Sequence, residues 1–250
     1  MFDYCCKLEA GRFYHVYNRG NNSDTIFYNK GNYAYFLRKY DEYLSDFVET
    51  YCFCLLPNHF HLLVRVKENL TNPARVLNLE SDATFLKGGI TTPTKVPNFL
   101  KESDVPFLKG DITTPTKVPN FLKENDATFL KGGITVSEQF RRFFTGYSMA
   151  INKQQNRHGS LFEKPFKRIE VNSIQYLQNI VFYIHANPQL HGFTNDYINY
   201  TWSSYKRILI DKPSKLFKKE VLEWFVDKEN YINYHSQKID IEIIKNLIIE

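Results

Sequence analysis

Two histidines stand one residue apart in the apolar run LLPNHFHLLVRV, residues 55–66. Side chains of a β-strand alternate between its two faces, so His59 and His61 are expected on the same face. Two imidazoles on one face suit a single metal ion, because neutral imidazole nitrogens are common ligands of divalent metals. The alternative is that both are ordinary polar residues of a half-exposed strand. The pair therefore indicates a candidate metal site that other residues must complete.

A second candidate group lies in NSIQYLQNIVFYIHANP, residues 172–188, a stretch that predicts a helix ended by Pro188. Positions three and four apart share a helix face, so Tyr183 and Asn187 should project from the same side. A tyrosine hydroxyl is a nucleophile, and an amide oxygen is a metal ligand. Tyr176 lies on the same stripe two turns earlier and is the second candidate nucleophile. The structural alternative is a tyrosine at the boundary of an amphipathic helix.

The four cysteines stand in two close pairs, at positions 5–6 and 52–54. Pairs so close in sequence seldom form disulfides, and reduced thiols are expected. The 52–54 pair and the two histidines form one candidate zinc set, but its spacing matches no common zinc pattern. Small apolar side chains buried in the core are therefore the preferred interpretation of Cys52 and Cys54.

The composition is that of a globular protein, with 43% hydrophobic, 24% charged and 16% aromatic residues in a chain of 250. No apolar run approaches the roughly 20 residues of a membrane helix, and the start lacks a signal-peptide pattern. These features predict a cytoplasmic protein with no membrane partner. The net charge is +5, and residues 137–171 hold seven basic against three acidic side chains. Such a segment, interleaved with Phe and Tyr, suits nucleic-acid binding, or is simply a solvated face.

A tandem repeat occupies the middle of the chain. Residues 85–106 and 107–128 are identical at 18 of 22 positions, and a third copy begins at Phe129. Proline and glycine interrupt every short apolar island, whereas solenoid repeats need about three units with a periodic apolar face. Segment 81–136 is therefore predicted to be an irregular, mobile surface loop inserted into one domain. Binding of a partner by its Phe-Leu islands is the alternative.

The rest of the sequence predicts an α+β unit. Strand patterns occupy residues 13–20, 50–57, 59–66 and 159–171, and helix patterns occupy 32–47, 137–156 and 172–188. Their order predicts an antiparallel sheet with helices packed on one face. Ser137 is expected to cap the second helix. Residues 1–80 and 137–211 would form this domain, and 212–250 a helical C-terminal extension.

Five short motifs carry a resemblance to a known family. They are HVYNRG at 15–20, LLPNHFHLLV at 55–64, HGSLFEKPFKR at 158–168, YIHANP at 183–188 and TWSSY at 201–205. In type and order they resemble those of the single-tyrosine HUH transposases, specifically the REP-associated tyrosine transposases. The resemblance implies a ferredoxin- or RRM-like nuclease core, a Mg²⁺ or Mn²⁺ cofactor, and single-stranded DNA hairpins as the partner. The insert and the C-terminal extension lie outside it.

The resemblance also implies roles for single residues. His59 and His61 match the family's pair of metal-binding histidines, and Asn187 falls where related enzymes place a third ligand. Tyr183 matches the catalytic tyrosine. The residues expected to bind DNA are Asn18, Arg19, Arg141, Arg142, Lys164, Lys167 and Arg168.

The expected reaction is cleavage and rejoining of DNA. The metal ion would polarise the scissile phosphate, and attack by Tyr183 would give a 5′-phosphotyrosine link and a free 3′-OH. Two alternatives stay open: a protein that binds hairpin DNA without cutting it, and a metal-dependent phosphoesterase acting on RNA or nucleotides. Only the tyrosine reaction attaches the protein to its product. The oligomeric state, monomer or homodimer, stays open as well.

Overall fold

The computed structural model describes residues 5–68 and 135–236. The predicted insert at 81–136 lies outside these ranges except for its last two residues. Its loop character therefore stays a prediction, as does the division of the chain into domain and extension.

Four strands form one sheet in the order β2-β3-β1-β4, and every neighbouring pair is antiparallel. The strands are β1 Phe13–Arg19, β2 Val48–Leu56, β3 His59–Val66 and β4 Lys167–Val171. Pro57 and Asn58 alone connect β2 to β3, as the sequence predicts. Strand β3 has a hydrogen-bonded neighbour on each side, so the histidine-bearing strand is fixed from both edges.

The sequence places the helices correctly but misses some of their ends. The helices are α1 Lys30–Leu44, α2 Val136–Gln154, α3 Ile174–Leu190, α4 Tyr205–Leu209, α5 Lys218–Trp224 and α6 Lys228–Ser236. The expected cap at Ser137 is wrong, because Thr135 accepts the hydrogen bond from the backbone N–H of Glu138 at 3.1 Å. The expected end at Pro188 is also wrong. Proline in the last turn removes a single backbone donor, and α3 continues to Leu190.

Helices pack on both faces of the sheet, so the expectation of one covered face is wrong. Helices α1 and α2 share an apolar cluster with Phe60, Leu62 and Val64 of β3. Leu63 of the same strand belongs to a second cluster with α3 and the C-terminal helices. A strand with buried side chains on both faces needs cover on both faces. The α+β class, with helices packed on an antiparallel sheet, is confirmed.

The C-terminal helices complete the second face. Val221 and Trp224 of α5 and Tyr231 of α6 are buried in the cluster that contains α3. Helix α3 packs against both the sheet and these helices, and its residues are buried from Ile180 to Pro188. Within residues 5–68 and 135–236, no helix has the length and apolarity to cross a membrane.

Candidate active site

Strand β3 and helix α3 bring the four sequence-predicted metal and nucleophile residues together. The Nε2 atom of His59 lies 2.7 Å from Oδ1 of Asn187. The ring of His61 lies edge-to-face with that of Tyr183, with 5.4 Å between centroids. The two histidine rings are 5.2 Å apart. Residues from two distant parts of the chain thus form one site.

The site lies below the protein surface. His59 and His61 are 5% and 4% exposed, Tyr183 is 1% exposed, and Asn187 is fully buried. The burial follows from the packing of α3 against both the sheet and the C-terminal helices. Water is largely excluded from such a site, which strengthens every electrostatic interaction within it.

The segment after β1 clamps the turn that precedes the histidines. The backbone N–H of Gly20 donates to the Asn58 carbonyl at 2.7 Å, and those of Ile26 and Phe27 donate to the Pro57 carbonyl. A Cβ atom at Gly20 would lie 1.9 Å from the backbone oxygen of Asp24, so only glycine fits there. This explains the glycine that ends the motif HVYNRG.

Burial keeps the site histidines neutral. Desolvation lowers the pKa of His59 to about 4, although the hydrogen bond to Asn187 acts in the opposite direction. Burial and the neighbouring imidazoles hold the pKa of His61 well below its usual range. A neutral imidazole keeps a lone pair for a metal ion, whereas a protonated one has none. Both side chains are thus in the state that metal binding requires.

The donor atoms fit a divalent ion. Among the described residues, Nε2 of His61 and Nδ2 of Asn187 are buried without a hydrogen-bond partner. The Nε2 of His59 and Oδ1 of Asn187 face each other closely. Two imidazole nitrogens and one amide oxygen would leave coordination positions open for phosphate oxygens and water. No group of three or more His, Cys, Asp or Glu side chains suits a metal ion in the ranges 5–68 and 135–236.

The cysteines of β2 belong to the core. Cys52 and Cys54 are buried in the second apolar cluster, as expected for small apolar side chains. Burial raises the pKa of both thiols well above the usual range, so they stay protonated. A metal ion binds the thiolate. The candidate site is therefore formed without them.

No family model matches the chain, and no curated protein matches it. The chain is similar to a solved structure described as the REP-associated tyrosine transposase bound to a REP hairpin. The match has a TM-score of 0.49 and 12% identity, and it covers 84% of this chain and 86% of that one. Likeness at this level assigns neither a family nor an activity, so the functional assignment rests on the site.

Three of the predicted DNA-binding residues lie beside the histidines. Asn18, Arg19 and Lys167 line a small pocket together with His59, His61, Tyr17 and Glu163. Its volume of about 10 Å³ is roughly what one water molecule requires. Asn18 is held by its Nδ2, which donates to the Glu163 carbonyl oxygen at 3.2 Å.

The rim of this pocket has an excess of positive charge. The Glu163 carboxylate lies 3.5 Å from Nε of Arg19 and 3.8 Å from Nζ of Lys167. These two cations share one carboxylate. The rim therefore carries a net positive charge next to the candidate metal ligands, which favours an anionic substrate.

Arg141, Arg142 and Arg168 lie away from the site. Arg168 follows Lys167 on β4 but projects from the opposite face, where its Nε donates to a backbone carbonyl of the N-terminal segment at 2.7 Å. Arg141 and Arg142 are on α2, across the sheet, and both pair with Glu138. Lys164 is exposed in the loop before β4. The basic segment thus does not form one surface around the site.

The sequence alone assigns no role to His15, which contacts the site directly. Its Nε2 lies 2.9 Å from Nδ1 of His61, and its ring is 1% exposed. Tyr17, two residues along β1, pairs in register with His61 and stacks on His15. The spacing His-Val-Tyr places His15 and Tyr17 on one strand face. The sequence therefore indicates that His15 and Tyr17 share a strand face, but it does not indicate that β1 pairs with β3.

The turn after α3 adds two rings beside His59. The His191 ring centroid is 4.8 Å from that of His59, and that of Phe193 is 6.4 Å away. Gly192 has a φ of +71°, a conformation that glycine adopts without strain. Phe193 is 42% exposed. An exposed aromatic ring next to a positively charged pocket suits the stacking of an unpaired base.

Proposed function

We propose that this protein cleaves and rejoins single-stranded DNA, with Tyr183 as the nucleophile. In this proposal His59, His61 and Asn187 hold a divalent ion, Mg²⁺ or Mn²⁺. The observation that carries it is the convergence of these four side chains in one buried site. The resemblance of the sequence motifs to REP-associated tyrosine transposases supports the same reaction and suggests hairpin-forming DNA as the substrate.

Binding of the phosphodiester would involve the rim of the pocket. Arg19 and Lys167 would pair with backbone phosphate in place of the Glu163 carboxylate, and Phe193 would stack on a neighbouring base. The ion pairs of Glu163 must open for a phosphate to enter, because the present pocket is too small. A phosphate group of the substrate would thus take the place of the Glu163 carboxylate between Arg19 and Lys167.

The chemical step would be an in-line displacement at phosphorus. The Tyr183 oxygen forms a bond to phosphorus as the bond to the 3′ oxygen breaks, which leaves a 5′-phosphotyrosine and a 3′-OH. The phenol loses one proton and the leaving oxygen takes one up. A bound divalent ion supplies positive charge that stabilises the developing charge on the non-bridging oxygens. Attack of a 3′-OH on the phosphotyrosine reverses the step and rejoins the strand.

Burial of Tyr183 supports rejoining over hydrolysis. Its ring is enclosed by the rings of His15 and His61, with centroids 6.1 and 5.4 Å away. Because water is largely excluded, a phosphotyrosine at this position would be shielded from hydrolysis until a 3′-OH arrives.

The test is formation of the covalent adduct. Purified protein is incubated with Mn²⁺ or Mg²⁺ and labelled single-stranded hairpin DNA from beside its own gene, and denaturing gels then show whether label migrates with the protein. We expect an adduct with the unaltered protein that is lost in Tyr183→Phe. Tyr176→Phe is the matched control, because it removes a hydroxyl from the same helix two turns earlier, and it should keep the adduct.

Two other results would replace the proposal. Cleavage without an adduct that survives Tyr183→Phe would favour a metal-dependent phosphoesterase. Tight binding without cleavage under either metal would favour a protein that only binds hairpin DNA.

A further inference from the structure

Each candidate histidine ligand has a hydrogen-bond partner at its Nδ1 atom. The Nδ1 of His59 lies 2.7 Å from Oδ1 of Asn58, and its Nε2 faces Asn187. The Nδ1 of His61 lies 2.9 Å from Nε2 of His15, and its Nε2 is buried without a partner among the described residues. Both imidazoles therefore have a partner at Nδ1, but they differ at Nε2, which contacts the Asn187 amide oxygen in His59 and has no partner among the described residues in His61.

The direction of the hydrogen bond between His15 and His61 determines whether Nε2 of His61 has a lone pair that can bind a metal ion. In a neutral imidazole one nitrogen carries the hydrogen and the other carries a lone pair. If His61 donates from Nδ1, its Nε2 has the lone pair that binds a metal ion. If His15 donates instead, Nε2 of His61 carries the hydrogen and cannot bind one. The far nitrogen of His15, Nδ1, lacks a partner in the described ranges in either case, so it favours neither arrangement.

We infer that His15 is a positioning residue that accepts the hydrogen bond from Nδ1 of His61 and thereby holds His61 in its metal-binding tautomer. The inference rests on the proposed function. Metal-binding histidines generally donate their other ring N–H to a fixed acceptor, and loss of that acceptor weakens metal binding. His15 is fixed for this role, because its ring stacks on Tyr17 with 4.8 Å between centroids and is 1% exposed.

The experiment measures Mn²⁺ binding directly, without DNA and without turnover. Electron paramagnetic resonance titration of the full-length protein gives the Mn²⁺ affinity of the unaltered chain, His15→Phe and His15→Gln. His15→Phe keeps an aromatic ring but has no acceptor, and its affinity should fall about 10- to 100-fold. His15→Gln offers an amide oxygen to Nδ1 of His61 and should stay within about threefold of the unaltered protein. Thermal unfolding without metal shows whether each variant is folded, and His15→Met replaces the phenylalanine variant if that one is not.

The outcomes separate this inference from the proposed function. Equal affinity of folded His15→Phe and the unaltered protein overturns the inference and leaves the proposed function intact. An equal loss in His15→Gln and His15→Phe also overturns it, since the effect then comes from packing and not from the hydrogen bond. Absence of Mn²⁺ binding by the unaltered protein overturns the metal part of the proposed function together with this inference. Adduct formation by Tyr183 is a separate readout.

Discussion

The two faces of the central sheet bury different kinds of side chain. On the face covered by α1 and α2, β3 contributes Phe60, Leu62 and Val64 to a cluster rich in aromatic rings. On the face covered by α3, the same strand contributes His59 and His61. Because strand side chains alternate, adjacent residues serve different purposes. Substitutions of adjacent residues in β3 should therefore have different effects, mainly on stability on one face and mainly on the proposed activity on the other.

The largest effect on stability should come from the apolar face. Phe60→Ala removes a fully buried ring that contacts Phe36 and Phe144. Truncation of a buried phenylalanine lowers the free energy of unfolding by about 3–5 kcal/mol. Chemical denaturation of the variant and the unaltered protein measures this difference. A loss below about 1 kcal/mol would contradict the view that this face is the stabilising one.

The neighbouring substitution should act on chemistry. His59→Ala removes a proposed metal ligand, and we expect adduct formation with hairpin DNA to fall by about 10²- to 10³-fold. Its unfolding free energy should fall less than that of Phe60→Ala, because a smaller and less apolar group is lost. Chelation by EDTA should bring the unaltered protein to the activity of the variant. Full activity of folded His59→Ala would remove the functional distinction between the faces.

Acid should destabilise the α3 face first. Among the described residues, the buried histidines all lie on this face: His15, His59, His61, His185 and His235. Burial lowers the pKa of His235 to about 4. An unfolded chain, with a histidine pKa near 6.5, binds more protons between pH 6.5 and 4. The free energy of unfolding is therefore largest above about pH 6.5 and decreases toward pH 4. The decrease is up to about 1.4 kcal/mol per pH unit for each additional proton that the unfolded chain binds.

Hydrogen exchange at pH 7 and pH 5 checks this expectation. Amides of α3 and α6 should lose protection at pH 5 before those of α1 and α2. His235→Phe should reduce the dependence of stability on pH. Simultaneous loss of protection on both faces would show that acid acts on the whole fold.

The smallest effect concerns the rim of the site. Glu163→Gln frees Arg19 and Lys167 from a shared carboxylate, and affinity for single-stranded DNA should rise by about two- to tenfold at low salt. Glu170→Gln makes the same change in net charge further along β4, where Glu170 pairs with Arg12. A filter-binding assay over a range of salt concentrations compares the two. Equal gains would mean that net charge alone is responsible.

The sequence predicts the elements better than their assembly. The first three strands and the β2–β3 turn follow from local spacing, and so does the common face of His59 and His61, whereas β4 covers only the end of the strand expected at 159–171. The convergence of β3 with α3 was accessible only through the family motifs. His15 was missed because its contact depends on the pairing of β1 with β3, which local spacing does not encode. The second covered face depends on how α3 and the C-terminal helices pack on the sheet, which local spacing does not encode.

The clamp on the Pro57-Asn58 turn has a thermodynamic consequence. Backbone hydrogen bonds from Gly20, Ile26 and Phe27 fix this turn, and Asn58 in turn contacts the ring of His59. If His59 is a metal ligand, as proposed, its conformational entropy is therefore lost when the chain folds and not when an ion binds. Ion binding at this site should resemble the filling of a rigid receptor, with little further ordering of the protein.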